Sequence, residues 1–138
     1  MTMTARKALE LRKMRRNEIK ENVFVCTPDD NRMMTPYILA EQGDWFENEI
    51  EFVRLLVQSG TNMIDIGANY GVYSLAAAKR MSGEGTIWAF EPCSETATYL
   101  RASVEANNFQ NIKVIQQGLG REIGWANLTT NPNSELNS

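Results

Sequence analysis

The residues able to do chemistry in this chain fall in two short stretches. Asp65, Gly67, Asn69 and Gly71 lie in MIDIGANYG, and Glu91 lies in AFEP. An acid followed by two glycines, on a turn between a strand and a helix, gives a backbone that a ligand can approach closely. The helix beyond it offers free N–H groups and a partial positive charge. Asn69 does not spoil the turn, because asparagine tolerates the left-handed conformation. Glu91 comes about 20 residues after Gly71, the spacing at which a carboxylate accepts hydrogen bonds from ribose hydroxyls. Two hydroxyls on one carboxylate make charge-assisted bonds. Turn and acid together predict a nucleoside site. The dinucleotide fingerprint G-x-G-x-x-G fails, since Asn69 and Val72 stand where its second and third glycines belong. That counts against a nicotinamide-dependent oxidoreductase.

Other chemistry is excluded by composition. The chain has no histidine, which removes Ser-His-Asp and Cys-His catalysis and His-ligated metals. Cys26 and Cys93 are far apart and read as reduced intracellular thiols, so no metal site is expected. The net charge of −3 gives no basic footprint for nucleic acid. No apolar run approaches a membrane span, and no secretory signal opens the chain. A cytoplasmic protein without membrane or nucleic-acid partners is the expectation.

The elements that must position these residues follow from periodicity. NMIDIG predicts a strand, Asn69–Met81 a helix, Thr86–Pro92 a strand, Ser94–Asn107 a helix capped by Ser94, and Ile112–Gln116 a third strand. This strand-helix alternation builds a parallel sheet with right-handed crossovers. Ligands bind such sheets at the carboxyl ends of the strands. Before this unit, Arg6–Lys20 reads as a basic helix, Asn22–Thr27 as a short strand and Pro28–Asn31 as a turn. A helix then opens with Asp44 as cap and Glu47 completing a capping box, and closes at Gly60. Trp125–Thr129 reads as a short strand, and the last eight or so residues are polar and asparagine-rich. Tyr70 and Tyr73 lie near the turn and read as packing.

The residues MIDIGANYGVYSLAAAK, then AFEP, then GLG after the third strand, resemble the FkbM-type family of S-adenosylmethionine-dependent methyltransferases. FENEIEFVRLLVQSG is similar to that family's lead-in helix, in which Glu47 matches an acidic position. The resemblance covers roughly Gly43 to Ser138. It implies a Rossmann-like α/β class I methyltransferase fold with S-adenosyl-L-methionine as cofactor. The turn Asp65–Gly71 would hold the cofactor's amino-acid end. Asp65 would favour the ammonium, directly or through water, and Gly67 would let the backbone approach. Glu91 would bind the ribose, Phe90 or Pro92 would border the adenine, and Gly118 and Leu119 would lie where adenine contacts are made. The resemblance further implies O-methylation of a small molecule or sugar. No catalytic base can be named.

The expected organisation is a lead-in over residues 1–42 and a partial cofactor-binding domain over residues 43–138. Three parallel strands in the order 3-2-1 account for one half of a doubly wound sheet. The resembled family continues with strands that complete it, so the C-terminal half is expected to be missing here. The first strand then has an uncovered edge suited to self-association. A cofactor-binding module without turnover is the alternative to an enzyme.

Overall fold

The computed structural model describes residues 14–129, and the structural statements below concern those residues. They form two sheets. Strands β1 (Met14–Ile19) and β2 (Val23–Pro28) make an antiparallel hairpin. Strands β3 (Asn62–Ile66), β4 (Thr86–Phe90) and β5 (Ile112–Ile115) make a parallel sheet in that spatial order. Helices α1 (Met34–Gln42) and α2 (Glu49–Leu56) come between the sheets in sequence. Helices α3 (Val72–Met81) and α4 (Ser94–Ala106) connect the parallel strands. The predicted order 3-2-1 is therefore present.

The core lies between the parallel sheet, α3, α4 and the hairpin. Leu75, Ala77, Ile87, Ala89, Leu100 and Val25 are fully buried there. Ala76, Ala77 and Ala78 make α3 slim enough to be enclosed on nearly every side. The outer edge of β2 is covered by side chains of α4 and of Asn107, the residue that follows it. Asn107 Oδ1 accepts the Phe24 N–H at 2.8 Å, its Nδ2 donates to the Phe24 carbonyl at 2.6 Å, and Ser103 Oγ accepts the Cys26 N–H at 2.8 Å. These bonds satisfy backbone groups that would otherwise be a template for pairing.

Several sequence expectations are corrected. The end of the anticipated basic helix is a strand and turn; the part before Met14 lies outside the described residues. Asn17 and Ile19 are buried while Arg16 and Glu18 are exposed, a period of two. Arg16 lies over the Phe24 ring at 3.6 Å, and the Asn17 amide bonds Thr27 Oγ1 and the Val25 carbonyl. Cross-strand partners outweighed helix propensity. Helix α1 went unforeseen, although Pro36 in its first turn and Gly43 at its left-handed end mark both limits. Asp44 and Glu47 cap nothing. Helix α2 begins only at Glu49, after Asn48, and ends at Leu56, before Gly60. Ser94 is the first residue of α4 and makes no side-chain cap. Trp125–Thr129 forms no strand and is exposed.

Asp44 has a different role. It receives both terminal guanidinium nitrogens of the buried Arg54, each at 2.8 Å, and Lys20 lies 3.3 Å away. Arg80 Nε donates to the Arg54 carbonyl and its NH1 to Glu21. The hairpin turn, the loop before α2, and α3 are thereby joined through charged groups.

One face of the parallel sheet is open. Ile64, Trp88 and Lys113 are in register, as are Ile66, Phe90 and Ile115. Ile64 and Ile66 are 61% and 67% exposed. The far edge of β3 has no strand partner among the described residues, and neither the hairpin nor Trp125–Thr129 covers it. No described helix is long and apolar enough to cross a membrane.

Candidate functional site

The first parallel strand carries Asp65 as its penultimate residue and ends at Ile66, and the chain then turns through Gly67 (φ +75°), Asn69 (φ +51°) and Gly71 (φ +91°) into α3. These left-handed positions wind the backbone around the carboxyl end of β4. The Gly67 and Ala68 N–H groups both donate to the Phe90 carbonyl at 2.9 Å. The two glycines serve different ends. Gly71 is buried, and a Cβ there would collide with Leu100 Cδ1. Gly67 is exposed and a Cβ there would meet nothing. Its φ is positive, and no part of the protein crowds its Cα; that side is open to a ligand.

Glu91 is buried at the end of β4. Its Oε2 accepts the Asn69 N–H at 2.9 Å, and its Oε1 accepts the Cys93 N–H at 2.8 Å. The carboxylate thus joins the two turns that leave adjacent parallel strands. A carboxylate has about four acceptor positions, so two remain. Gly118 comes to the same place after β5, with Pro92 Cβ 3.9 Å from where its own Cβ would stand. Leu119 beside it is 52% exposed, and Phe90 is half-buried.

Asp65 faces inward. Ser74 Oγ donates to its Oδ2 at 2.6 Å, and the Ser74 backbone N–H also bonds the carboxylate. Ser74 is the third residue of α3, whose own cap position is Gly71. Asp65 therefore caps the helix from the preceding strand, filling the role that a side chain at Gly71 cannot. Burial pushes its carboxyl up, and the Ser74 bonds oppose that rise. Tyr70 is buried and meets Tyr99 edge-on at 5.9 Å, anchoring the turn to α4.

Sequence reading missed a second cluster at this end of the molecule. Tyr73 Oη donates to Glu47 Oε2 at 2.6 Å, and Trp45 Nε1 donates to the same oxygen at 2.9 Å. The sequence presents Tyr73 as packing, and only its first-turn position beside the glycine turn signals more. Burial and the Glu47 carboxylate both push the Tyr73 phenol up. It stays neutral and serves as a donor.

No protein-family model matches this sequence, and no curated protein matches it. Solved structures do share its fold. Trm5b from Pyrococcus abyssi matches 76% of this chain over 28% of its own, with a TM-score of 0.57 and 16% identity. TYW2 from P. horikoshii, in complex with MeSAdo, matches 77% of this chain over 36% of its own, with a TM-score of 0.56 and 12% identity. TYW2 from M. jannaschii, in complex with AdoMet, matches 75% over 42% of its own, with a TM-score of 0.56 and 14% identity. The chain spans less than half the length of each. At these identities the likeness is one of fold. The parallel β3-β4-β5 sheet with α3 and α4 is part of the Rossmann-like fold of class I methyltransferases.

Proposed function

We infer that the turn Gly67–Gly71 and Glu91 hold S-adenosylmethionine. The chain is then the cofactor-binding portion of an S-adenosylmethionine-dependent methyltransferase, of the FkbM type that its motifs resemble. The observation that carries this reading is the 2.9 Å bond from Asn69 N to Glu91 Oε2, which holds a carboxylate against a glycine turn at the ends of adjacent parallel strands. Ligands of open α/β sheets sit at this end.

The residues present fit the cofactor. Glu91 keeps acceptor positions for two ribose hydroxyls. Gly67 presents open backbone toward the amino-acid end. Phe90, Pro92, Gly118 and Leu119 border the place of the adenine. Asp65 spends Oδ2 on α3, so its contact with the ammonium would go through water or the other oxygen. When bound, the cofactor supplies a methyl group activated by its sulfonium; the chain supplies orientation and exclusion of water. The acceptor would be an oxygen nucleophile on a small molecule or sugar, a reading that rests on the family resemblance.

Binding without turnover is the second reading. It is favoured by the lack of a base among the described residues: Asp65 and Glu91 hold backbone, and Tyr73 is a neutral donor. Calorimetric titration with S-adenosylhomocysteine and with NAD tests both readings. Binding of the first and not the second is expected; the reverse would overturn nucleoside recognition of this kind. A methyl-transfer assay then separates enzyme from binding module.

A further inference from the structure

Four acids stand at the carboxyl end of the sheet or in the loop before α2, and three of them already hold groups of the protein in its interior. Asp44 is paired with Arg54, Asp65 caps α3, and Glu91 holds two backbone N–H groups. Glu47 is exposed, has no cationic partner among the described residues, and is held by one oxygen only. Tyr73 and Trp45 both bond Oε2, leaving Oε1 without a partner among the described residues. Two donors on one oxygen fix the carboxylate in place and keep it ionised, holding it below the usual carboxylate range.

Its location follows from the helices. α2 precedes β3 and α3 follows it, so both helices begin at the carboxyl end of the sheet. They pack side by side. Tyr73 lies in the first turn of α3, and side chains in a helix lean toward its N-terminus. The phenol therefore carries Glu47 toward the turn Gly67–Gly71. The buried Asp44–Arg54 pair anchors the loop that presents Trp45 and Glu47.

We propose that Glu47 receives the ammonium of the cofactor's amino-acid end, with Tyr73 and Trp45 as its positioning residues. This rests on the S-adenosylmethionine reading above. An ammonium is the complement of a fixed carboxylate with a free oxygen, and the resulting bond is charge-assisted. Glu47 is then the specificity element that separates the complete cofactor from nucleosides lacking the amino-acid part.

The test titrates S-adenosylhomocysteine and 5′-methylthioadenosine, which has no amino-acid end, into the full chain by calorimetry. In Glu47→Gln, which keeps an oxygen for Tyr73 and Trp45, affinity for S-adenosylhomocysteine should fall about tenfold or more, the scale of a charged hydrogen bond. Affinity for 5′-methylthioadenosine should be unchanged. Tyr73→Phe should show a smaller loss confined to the same ligand. Glu49→Gln, beside it on α2, should change neither. Equal losses for both ligands in Glu47→Gln, or no loss for either, would overturn the assignment while leaving the nucleoside site standing. Failure of the unmodified chain to bind either ligand would overturn the cofactor reading and this proposal with it.

Discussion

Glu91 Oε2 accepts the Asn69 N–H at 2.9 Å, so the carboxylate ending one parallel strand fixes the left-handed turn that leaves its neighbour. The second oxygen does the same for Cys93. The acid is at once a ligand group and part of the scaffold, and its removal should register in both. In Glu91→Ala the loss of a charged acceptor should weaken S-adenosylhomocysteine binding by about 1.5–3 kcal/mol. Leaving the Asn69 and Cys93 N–H groups without acceptors should destabilise the fold by about 1–3 kcal/mol as well. Calorimetry and a denaturant titration separate the two effects. Weakened binding at unchanged stability would show that the two N–H groups find other acceptors.

The glycines of the turn should respond differently. Gly71→Ala forces a Cβ into Leu100 at a positive φ, and overpacking of this kind costs about 1–3 kcal/mol. Gly67→Val meets no protein atom in its way, so most of its cost should appear as lost cofactor binding. A Gly67→Val chain that binds S-adenosylhomocysteine normally would remove that position from the site.

Asp44 and Asp65 should give pH dependences of opposite sign. Burial opposes ionisation of Asp44, but the Arg54 hydrogen bonds prevail and hold it below the usual carboxylate range. Its contribution is present above the unfolded value near 3.8 and is lost as pH falls through the folded one. Asp44→Ala leaves the buried Arg54 with Glu51 alone, on NH1 at 2.8 Å, and should cost about 1–3 kcal/mol at pH 7. That difference should shrink toward pH 3, as measured by urea unfolding.

Burial raises Asp65, so its contribution is complete below the unfolded value near 3.8 and is lost as pH rises through the folded one. Asp65→Asn escapes that loss and keeps an oxygen for Ser74. It should melt no lower than the unmodified chain at pH 7, with any advantage fading toward pH 3. Asp65→Ala loses the cap and should cost about 1 kcal/mol.

The open sheet face and the bare edge of β3 should make the isolated chain associate. Ile64 and Ile66 lie beside backbone groups that no described strand pairs. Apparent mass in size-exclusion chromatography should rise with concentration, and Ile64→Lys should suppress the rise. A well-dispersed monomer at high concentration would overturn this expectation.

The sequence by itself determined the parallel sheet, its strand order and the glycine turn. Those depend on local signals: apolar runs of strand length, Gly67 and Gly71 at fixed spacing, and asparagine's tolerance of positive φ at Asn69. Only the tertiary structure decided what the acids do. Asp44 was a plausible helix cap until Arg54, 10 residues later, proved to be its partner. Asp65 turned to Ser74, and Glu47 to Tyr73, 26 residues away. The segment Met14–Ile19 had the composition of a helix and became a hairpin strand because β2 and α1 supplied partners that a lone helix lacks. A carboxylate's donors arrive from anywhere in the chain, so its role depends on which elements pack beside it, and residue spacing alone does not carry that information.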